Sequence, residues 1–265
     1  MSGLKTAVSY SLPSYQLGFC GPQEAKSKKV LLDFVAGKKV EEGLVKEALT
    51  KFEAPYPYFK LIAKSNGIPN PFDERVVRAM WVGNELLDKV KTGDLRKLIR
   101  TEFAKPGLLS PKEADARAKK VLHGAVPHHS FHVLILGPVT GRIKLEGTLL
   151  DLCRIGWGRV TKIKDRSLRN PDQVRGYSRD LRPLHGLKNS KLKVIYKPLV
   201  LGEKMGLGEE VEKEISWNKN IVPKVKADDW VSFHWGQACE VLNPTEVKSL
   251  EHYTKQTILN VNKKT

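Results

Sequence analysis

Cysteine is scarce in this 265-residue chain, and the three cysteines, Cys20, Cys153 and Cys239, stand far apart. Their odd number and wide spacing argue against a disulfide framework and are typical of a reducing compartment. The sequence has no CxxC pair, which excludes a zinc ribbon and a thioredoxin-type redox centre. Any chemistry of these thiols must therefore depend on partners from elsewhere in the chain.

Long apolar runs are also missing. The best runs, residues 131–136 and 195–201, are far shorter than the about 18 consecutive apolar residues of a membrane helix. Residues 1–23 contain one lysine and no apolar block followed by a cleavage motif, so they do not resemble a secretory signal. We therefore expect a soluble, cytoplasmic protein without a membrane partner.

Acidic residues are too few to balance the basic ones. The chain has 46 Lys and Arg against 29 Asp and Glu, for a formal net charge of +17. The stretch from Arg154 to Lys197 alone carries 13 basic and 3 acidic residues. A surplus of this size favours an acidic protein surface or a nucleic acid as partner.

Residues 23–122 have the apolar spacing of helices, with start and stop signals in register. Helices are predicted over residues 41–52 and 56–65, and another opens at Ser110–Pro111. The clearest one begins after Asn70–Pro71 and carries a buried stripe from Val76 to Val90. These signals predict a mainly α-helical domain over residues 1–127.

After Pro127 the pattern changes to short strands separated by Gly, Pro, Asn and Asp. We predict strands at residues 131–136, 158–163, 192–196, 211–215 and 230–234. A basic insertion covers residues 165–190, and a last helix covers residues 244–259. The predicted fold class is α+β: the helical domain is followed by a small antiparallel β-barrel of the OB type, residues 128–265, with a C-terminal helix.

Cys20 lies in the turn Gly18-Phe19-Cys20-Gly21-Pro22, and Pro22 can begin a helix. A thiol at a helix N-terminus feels the positive end of the helix dipole, which lowers its pKa and favours the reactive thiolate. Cys20 is therefore a candidate nucleophile or metal ligand.

Four of the seven histidines lie within residues 123–132. If this segment enters a strand, His128 and His132 point to one face while His129 points to the other. Two imidazoles on one face can share a metal ion, and iron, zinc, nickel and copper all accept such ligands. His128 and His132 are therefore candidate metal ligands, whereas the absence of HExxH gives no support to a zincin-type protease.

Two further segments carry a recognisable pattern. The first is Cys153-Arg154-Ile155-Gly156-Trp157-Gly158-Arg159-Val160, and the second runs from Asp229-Trp230-Val231 through His234 and Gly236 to Leu242, just before the last helix. In this order they resemble the HypC-type chaperones of nickel–iron hydrogenase maturation. The resemblance implies a HypC-like barrel in which Cys153 and His234 hold iron, alone or as its cyanide- and carbonyl-ligated fragment.

The whole chain also resembles an uncharacterised prokaryotic family associated with hydrogenase genes, through its Cys-Gly-Pro turn and its Pro-His-His-Ser-Phe-His run. These resemblances lead to the hypothesis of a metallo-chaperone or assembly factor with hydrogenase maturation proteins or the hydrogenase large subunit as partners. Cys153 is internal here, unlike the mature N-terminal cysteine of HypC-type proteins. Histidine protonation is expected to weaken metal binding toward about pH 6.

Two other hypotheses stay open. An OB-type barrel with the aromatics Trp157, Tyr177, Trp217 and Trp235 near the basic stretch would suit a nucleic acid, although no RNP, KH or zinc-finger motif is present. A cysteine-dependent enzyme would use Cys20 as nucleophile and His128 or His132 as base. The sequence does not decide whether the protein is an enzyme.

Overall fold

The computed structural model describes residues 2–164 and 190–263. The first part of the chain is helical, as predicted. Its elements are α1 Gly3–Gln16, α2 Ala25–Val35, α3 Glu42–Thr50, α4 Pro55–Ser65, α5 Glu74–Trp81, a 3-10 helix Glu85–Lys89, α6 Thr92–Glu102 and α7 Pro111–Lys119.

The second part is mixed. Its elements are α8 His129–Phe131, a π-helix His132–Leu136, α9 Thr148–Cys153, β1 Gly156–Lys164, β2 Ser190–Tyr196, β3 Leu199–Val200, β4 Gly206–Leu207, β5 Val211–Trp217, β6 Trp230–His234, β7 Gln237–Leu242 and α10 Pro244–Asn262. The mixed α+β class, the helical N-terminal part and the C-terminal helix are therefore confirmed. Of the predicted basic insertion, only Ser190 lies inside the described residues, and it begins β2.

Five strands hydrogen-bond in the closed order β1-β2-β5-β7-β6. All neighbouring pairs are antiparallel except β5 and β7, which meet in parallel at Ser216 and Gln237. The sequence predicted a wholly antiparallel barrel, whereas this ring of strands contains one parallel pair. Alternation of buried and partly exposed residues along β2 directs Leu192 and Val194 into the interior.

Helix α10 begins with a capping box that the sequence Asn243-Pro244-Thr245-Glu246 encodes. The Asn243 side chain accepts from the Glu246 amide, and the Glu246 carboxylate accepts from the Asn243 amide. Pro244 fits the first turn because it has no amide hydrogen to leave unpaired. This start directs α10 from the end of β7 across α8 and the π-helix.

The predicted strand at residues 131–136 is wrong, because this segment is helical. Its run of five apolar residues and one histidine suits a buried helix and a buried strand equally well. The His128 side chain accepts from the Ser130 amide at the start of the helix, which favours helical over extended backbone. The segment packs against α9 and α10.

One hydrophobic cluster runs through both parts of the chain. Helix α1 contributes to it and packs against α5 as well as β6 and β7. The division at residues 127 and 128 stays a prediction, since this shared cluster does not by itself separate or join folding units. Among the described residues, no helix combines the length and the apolar character needed to cross a membrane.

Candidate metal centre

Three side chains from distant parts of the chain meet inside the protein: His129, Cys153 and His234. One donor atom of each lies within 4.8 Å of the donor atoms of the other two. They come from the first residue of α8, the last residue of α9 and the last residue of β6. All three are buried. The fold therefore brings together the predicted pair and adds a second imidazole.

Cys153 is held by the backbone geometry that follows it. Arg154 leaves α9 in an extended conformation and is almost completely buried. Its guanidinium pairs with Asp151 and donates to the Lys197 carbonyl at 2.6 Å. This buried anchor fixes the turn between α9 and β1 on which the thiol is carried.

His234 is placed by the tight turn between β6 and β7. The two turn residues, Trp235 and Gly236, have φ angles of 50° and 69°. Two positive φ values match a type I′ hairpin turn, in which a tryptophan is unusual because left-handed backbone is costly for a bulky residue. The Trp235 amide donates to the Leu152 carbonyl at 2.8 Å, which ties this turn to the residue before Cys153.

The hydrogen bonds of the two imidazoles determine their tautomers. His234 Nδ1 lies 2.7 Å from the Tyr10 carbonyl, and His129 Nε2 lies 2.9 Å from the Cys153 carbonyl. A carbonyl oxygen can only accept, so each of these nitrogens carries the hydrogen. The other nitrogens, His234 Nε2 and His129 Nδ1, keep a lone pair, and both are buried without a hydrogen-bond partner.

This arrangement is the one that metal-binding histidines use. A ligating imidazole usually donates its second nitrogen to a carbonyl or carboxylate, which fixes the ring and leaves the first nitrogen for the ion. Here Tyr10 and Cys153 supply those carbonyls. The donor set of one thiol and two imidazoles fits a transition-metal ion.

Burial shifts the pKa of all three groups away from the values that these side chains have in water. It lowers the pKa of His234 to about 4 and that of His129 well below its usual range. It raises the pKa of the Cys153 thiol well above 9, while the neighbouring Trp235 indole acts in the opposite direction. The imidazoles are thus neutral and ready to bind at pH 6, and the thiol proton is the one that an ion must displace.

The three donors line a small cavity together with apolar side chains, among them Phe19, Met80 and Trp81. Its volume is about 30 Å³. That is room for about two water molecules, since one needs some 10–15 Å³. The cavity therefore suits one ion with small additional ligands.

The other predicted site residues lie at different distances from this centre. His132 lines the same cavity, but its Nδ1 is 3.2 Å from the Tyr58 hydroxyl. His128 does not line the cavity; it stacks on Tyr253. Cys20 lines the cavity and is half-buried, and burial raises the pKa of its thiol to about 11 instead of lowering it.

The sequence assigned His129 to the wrong face because it treated the segment as a strand. On a helix, residues three apart share a side, and the rings of His129 and His132 are indeed stacked 6.2 Å apart. Helical spacing was the signal that could have placed His129 toward the cavity. The aromatics that motivated a nucleic-acid surface are also placed differently, since Trp157 and Trp217 are buried and Trp235 lines the cavity, while Tyr177 lies outside the described residues.

No curated protein and no solved structure matches the chain, so the likeness to HypC-type chaperones rests on the residues alone. A family model matches residues 1–174 and 184–265, which is nearly the whole sequence. The chain therefore belongs to the family described as "Family of unknown function (DUF6390)".

Proposed function

We propose that this protein binds one transition-metal ion through His129, Cys153 and His234 and handles that ion for the assembly of another protein. The observation that carries the proposal is the pair of unpartnered imidazole lone pairs beside a buried thiol. Leaving a buried polar atom without a partner costs about 1–3 kcal/mol. A bound ion satisfies both nitrogens at once.

Iron is the ion that the resemblance to HypC-type chaperones favours. Cys153 and His234 are the two residues to which the resemblance assigns the binding of iron, and their donor atoms lie close together. A thiolate and imidazoles form a donor set suited to borderline ions, including ferrous iron. In the proposal the cargo is iron, alone or as its cyanide- and carbonyl-ligated fragment, and the barrel that carries His234 and begins just after Cys153 is HypC-like.

Transfer to an acidic protein partner is consistent with the charge of the chain. The formal net charge of +17 attracts an acidic surface, and such steering weakens as salt rises. In the proposal the receiving partner is a hydrogenase maturation protein or the hydrogenase large subunit, and the basic surplus speeds their encounter.

Metal analysis of the anaerobically purified protein tests the proposal. We expect about one iron per chain, with infrared bands of cyanide and carbonyl if the ligated fragment is the cargo. Separate substitutions His129→Ala, Cys153→Ser and His234→Ala should each remove most of the iron.

The chain offers matched controls. His252→Ala removes an exposed histidine, and Cys239→Ser removes a buried thiol that is not among the three clustered donors. Both control variants should keep the iron of the unmodified protein. Two results would rule the proposal out. One is a protein that holds no iron even after reconstitution with ferrous iron. The other is an iron content that none of the three site substitutions changes.

A further inference from the structure

A second thiol lies on the wall of the same cavity. Cys20 is located in the turn between α1 and α2, and it lines the cavity together with His129, Cys153 and His234. Unlike those three residues it is only half-buried. The cavity therefore joins the three buried donors to a second thiol.

The turn that carries Cys20 has glycine on both sides of the Phe19–Cys20 pair. Gly18 and Gly21 have φ angles of 77° and 90°, which other residues rarely adopt. A side chain at Gly21 would also meet the Phe52 ring at 2.7 Å, whereas Gly18 faces open space. The turn is thus closely packed at Gly21, whereas a side chain at Gly18 would meet nothing within 4 Å.

Charge balance in the cavity calls for a second anion. A divalent ion with one thiolate and two neutral imidazoles keeps a net charge of +1, which is costly in a buried, largely apolar cavity. Glu53 is the one acidic side chain among the described residues that line the cavity, and it pairs with Arg142 and accepts from the Gly21 amide at 2.9 Å. A second thiolate makes the complex neutral.

Resting on the proposed function, we propose that Cys20 is the fourth ligand of the same ion, completing a tetrahedral set of two sulfurs and two imidazole nitrogens. The three donors within 4.8 Å of one another do not include Cys20, so this assignment requires its thiol to approach them when the ion binds. Both thiols lose their protons to solvent, and one divalent ion with two thiolates forms a neutral complex. Four-coordinate sets of this type suit Zn²⁺, Co²⁺ and Fe²⁺.

The cavity itself supports this assignment. Cys20 and Cys153 line it together, so a cation between the two sulfurs would be attracted by both thiolates.

Titration with Co²⁺ under anaerobic conditions counts the thiolates. Each Co²⁺–thiolate bond adds a charge-transfer band in the near ultraviolet. The unmodified protein should show the intensity of two such bonds, and Cys20→Ser should lower it to about half with His129, Cys153 and His234 still bound. Cys153→Ser should give a similar loss, and Cys239→Ser should change nothing.

Alkylation of the unmodified chain gives a readout that needs no variant. Saturating Zn²⁺ should slow the modification of Cys20 and Cys153 together, as followed by mass spectrometry of the peptides. The fourth-ligand assignment would be overturned if Cys20→Ser kept the full charge-transfer intensity, or if Cys20 were alkylated equally fast with and without Zn²⁺. Either result would leave the three-donor site in place. Absence of any charge-transfer band in the unmodified protein would overturn both proposals.

Discussion

The His129 imidazole donates to the backbone carbonyl of Cys153 at 2.9 Å, so one candidate ligand holds the backbone of another. His234 is connected to the same segment, because the amide of the following residue, Trp235, donates to Leu152. The three donors are thus positioned by hydrogen bonds that need no ion. Such preorganisation lowers the cost of ordering the site when an ion binds.

The first prediction separates His129 from its neighbour His132. His129→Ala should weaken Zn²⁺ binding by at least about 100-fold, because it removes a donor and also the hydrogen bond that orients Cys153. His132→Ala should change the affinity by less than about tenfold, because His132 is not one of the three clustered donors. Competition with a chromophoric chelator measures both, and equal losses in the two variants would contradict this assignment.

The second prediction concerns the pH dependence of metal affinity. Burial lowers the pKa of His234 to about 4 and that of His129 well below its usual range, so acidification from pH 8 to pH 6 does not protonate them. The same burial raises the pKa of the Cys153 thiol, and each bound thiolate must release one proton. Affinity should therefore rise about tenfold per pH unit for each thiolate that binds. Chelator competition at several pH values checks this, and a plateau above pH 7 would show that histidine protonation controls binding instead.

Local sequence signals were sufficient for the elements with regular patterns. Caps and apolar spacing predicted α4, α7 and α10 to within a few residues, and β6 was predicted with its observed bounds. Helix α1 was not predicted, because it is buried on almost every side. Its serines interrupt the apolar residues, so the sequence shows no separate apolar and polar faces. An N-cap is present at Ser2, but the apolar stripe that would mark a helix behind it is missing.

The candidate site was only partly predictable. The meeting of Cys153 and His234 followed from a resemblance in two short segments, since nothing in local spacing relates residues that far apart. To place His129 one must know that its segment is helical, and a short, mostly apolar run does not reveal this. The carbonyl partners on Tyr10 and Cys153 depend on tertiary structure alone.

The third prediction is acid destabilisation of the metal-free protein. Four buried histidines have lowered pKa values in the fold: His128 at about 3, His132 and His234 at about 4, and His129 well below its usual range. In the unfolded chain each returns to about 6.5. Above about pH 6.5 these histidines are neutral in both states and do not change the free energy of unfolding with pH. Below about pH 6.5 the histidines of the unfolded chain bind protons, whereas those of the folded chain stay neutral. The free energy of unfolding should therefore fall by up to about 1.4 kcal/mol per histidine per pH unit as the pH drops from 6.5 toward 4.

Urea unfolding at half-unit pH steps measures this slope. The buried Glu240 acts in the opposite direction, because burial raises its pKa and its protonation favours the fold, but it is one group against four. His132→Phe should reduce the slope by about one proton, and His252→Gln, at an exposed position, should leave it unchanged. A free energy of unfolding that stays constant between pH 6.5 and pH 5 would contradict the burial of these imidazoles.

The fourth prediction concerns the buried ion pair next to the site. Asp151 accepts from the Arg154 guanidinium at 2.9 Å, the Leu199 amide at 2.8 Å and the Tyr196 hydroxyl at 3.0 Å. Asp151→Ala leaves the buried guanidinium without its counter-charge and should lower the free energy of unfolding by about 3–5 kcal/mol. Adding Arg154→Met should recover much of that loss, because the unpaired charge is then removed as well.

Chemical denaturation of the single and double variants gives these values. Asp115→Ala is the matched control, because Asp115 pairs with Arg100 and Lys119 on the surface and should contribute less than about 1 kcal/mol. A double variant no more stable than Asp151→Ala would show that the other acceptor contacts of Asp151, and not the charge of Arg154, account for the loss.

The fifth prediction tests how closely the strand after Cys153 is packed. A Cβ atom at Gly156 would lie 2.2 Å from the Phe233 ring, which is buried directly before His234. Gly156→Ala should therefore push this ring aside, lower the free energy of unfolding by about 1–3 kcal/mol and weaken metal binding through His234.

Gly43→Ala is the control variant, because a Cβ there meets nothing within 4 Å. This substitution should stabilise helix α3 by up to about 1 kcal/mol. Measured together by urea unfolding and chelator competition, the two variants should move stability in opposite directions, and only Gly156→Ala should alter affinity. Unchanged affinity in Gly156→Ala, despite lost stability, would mean that His234 is positioned by its bond to Tyr10 and not by the packing of Phe233.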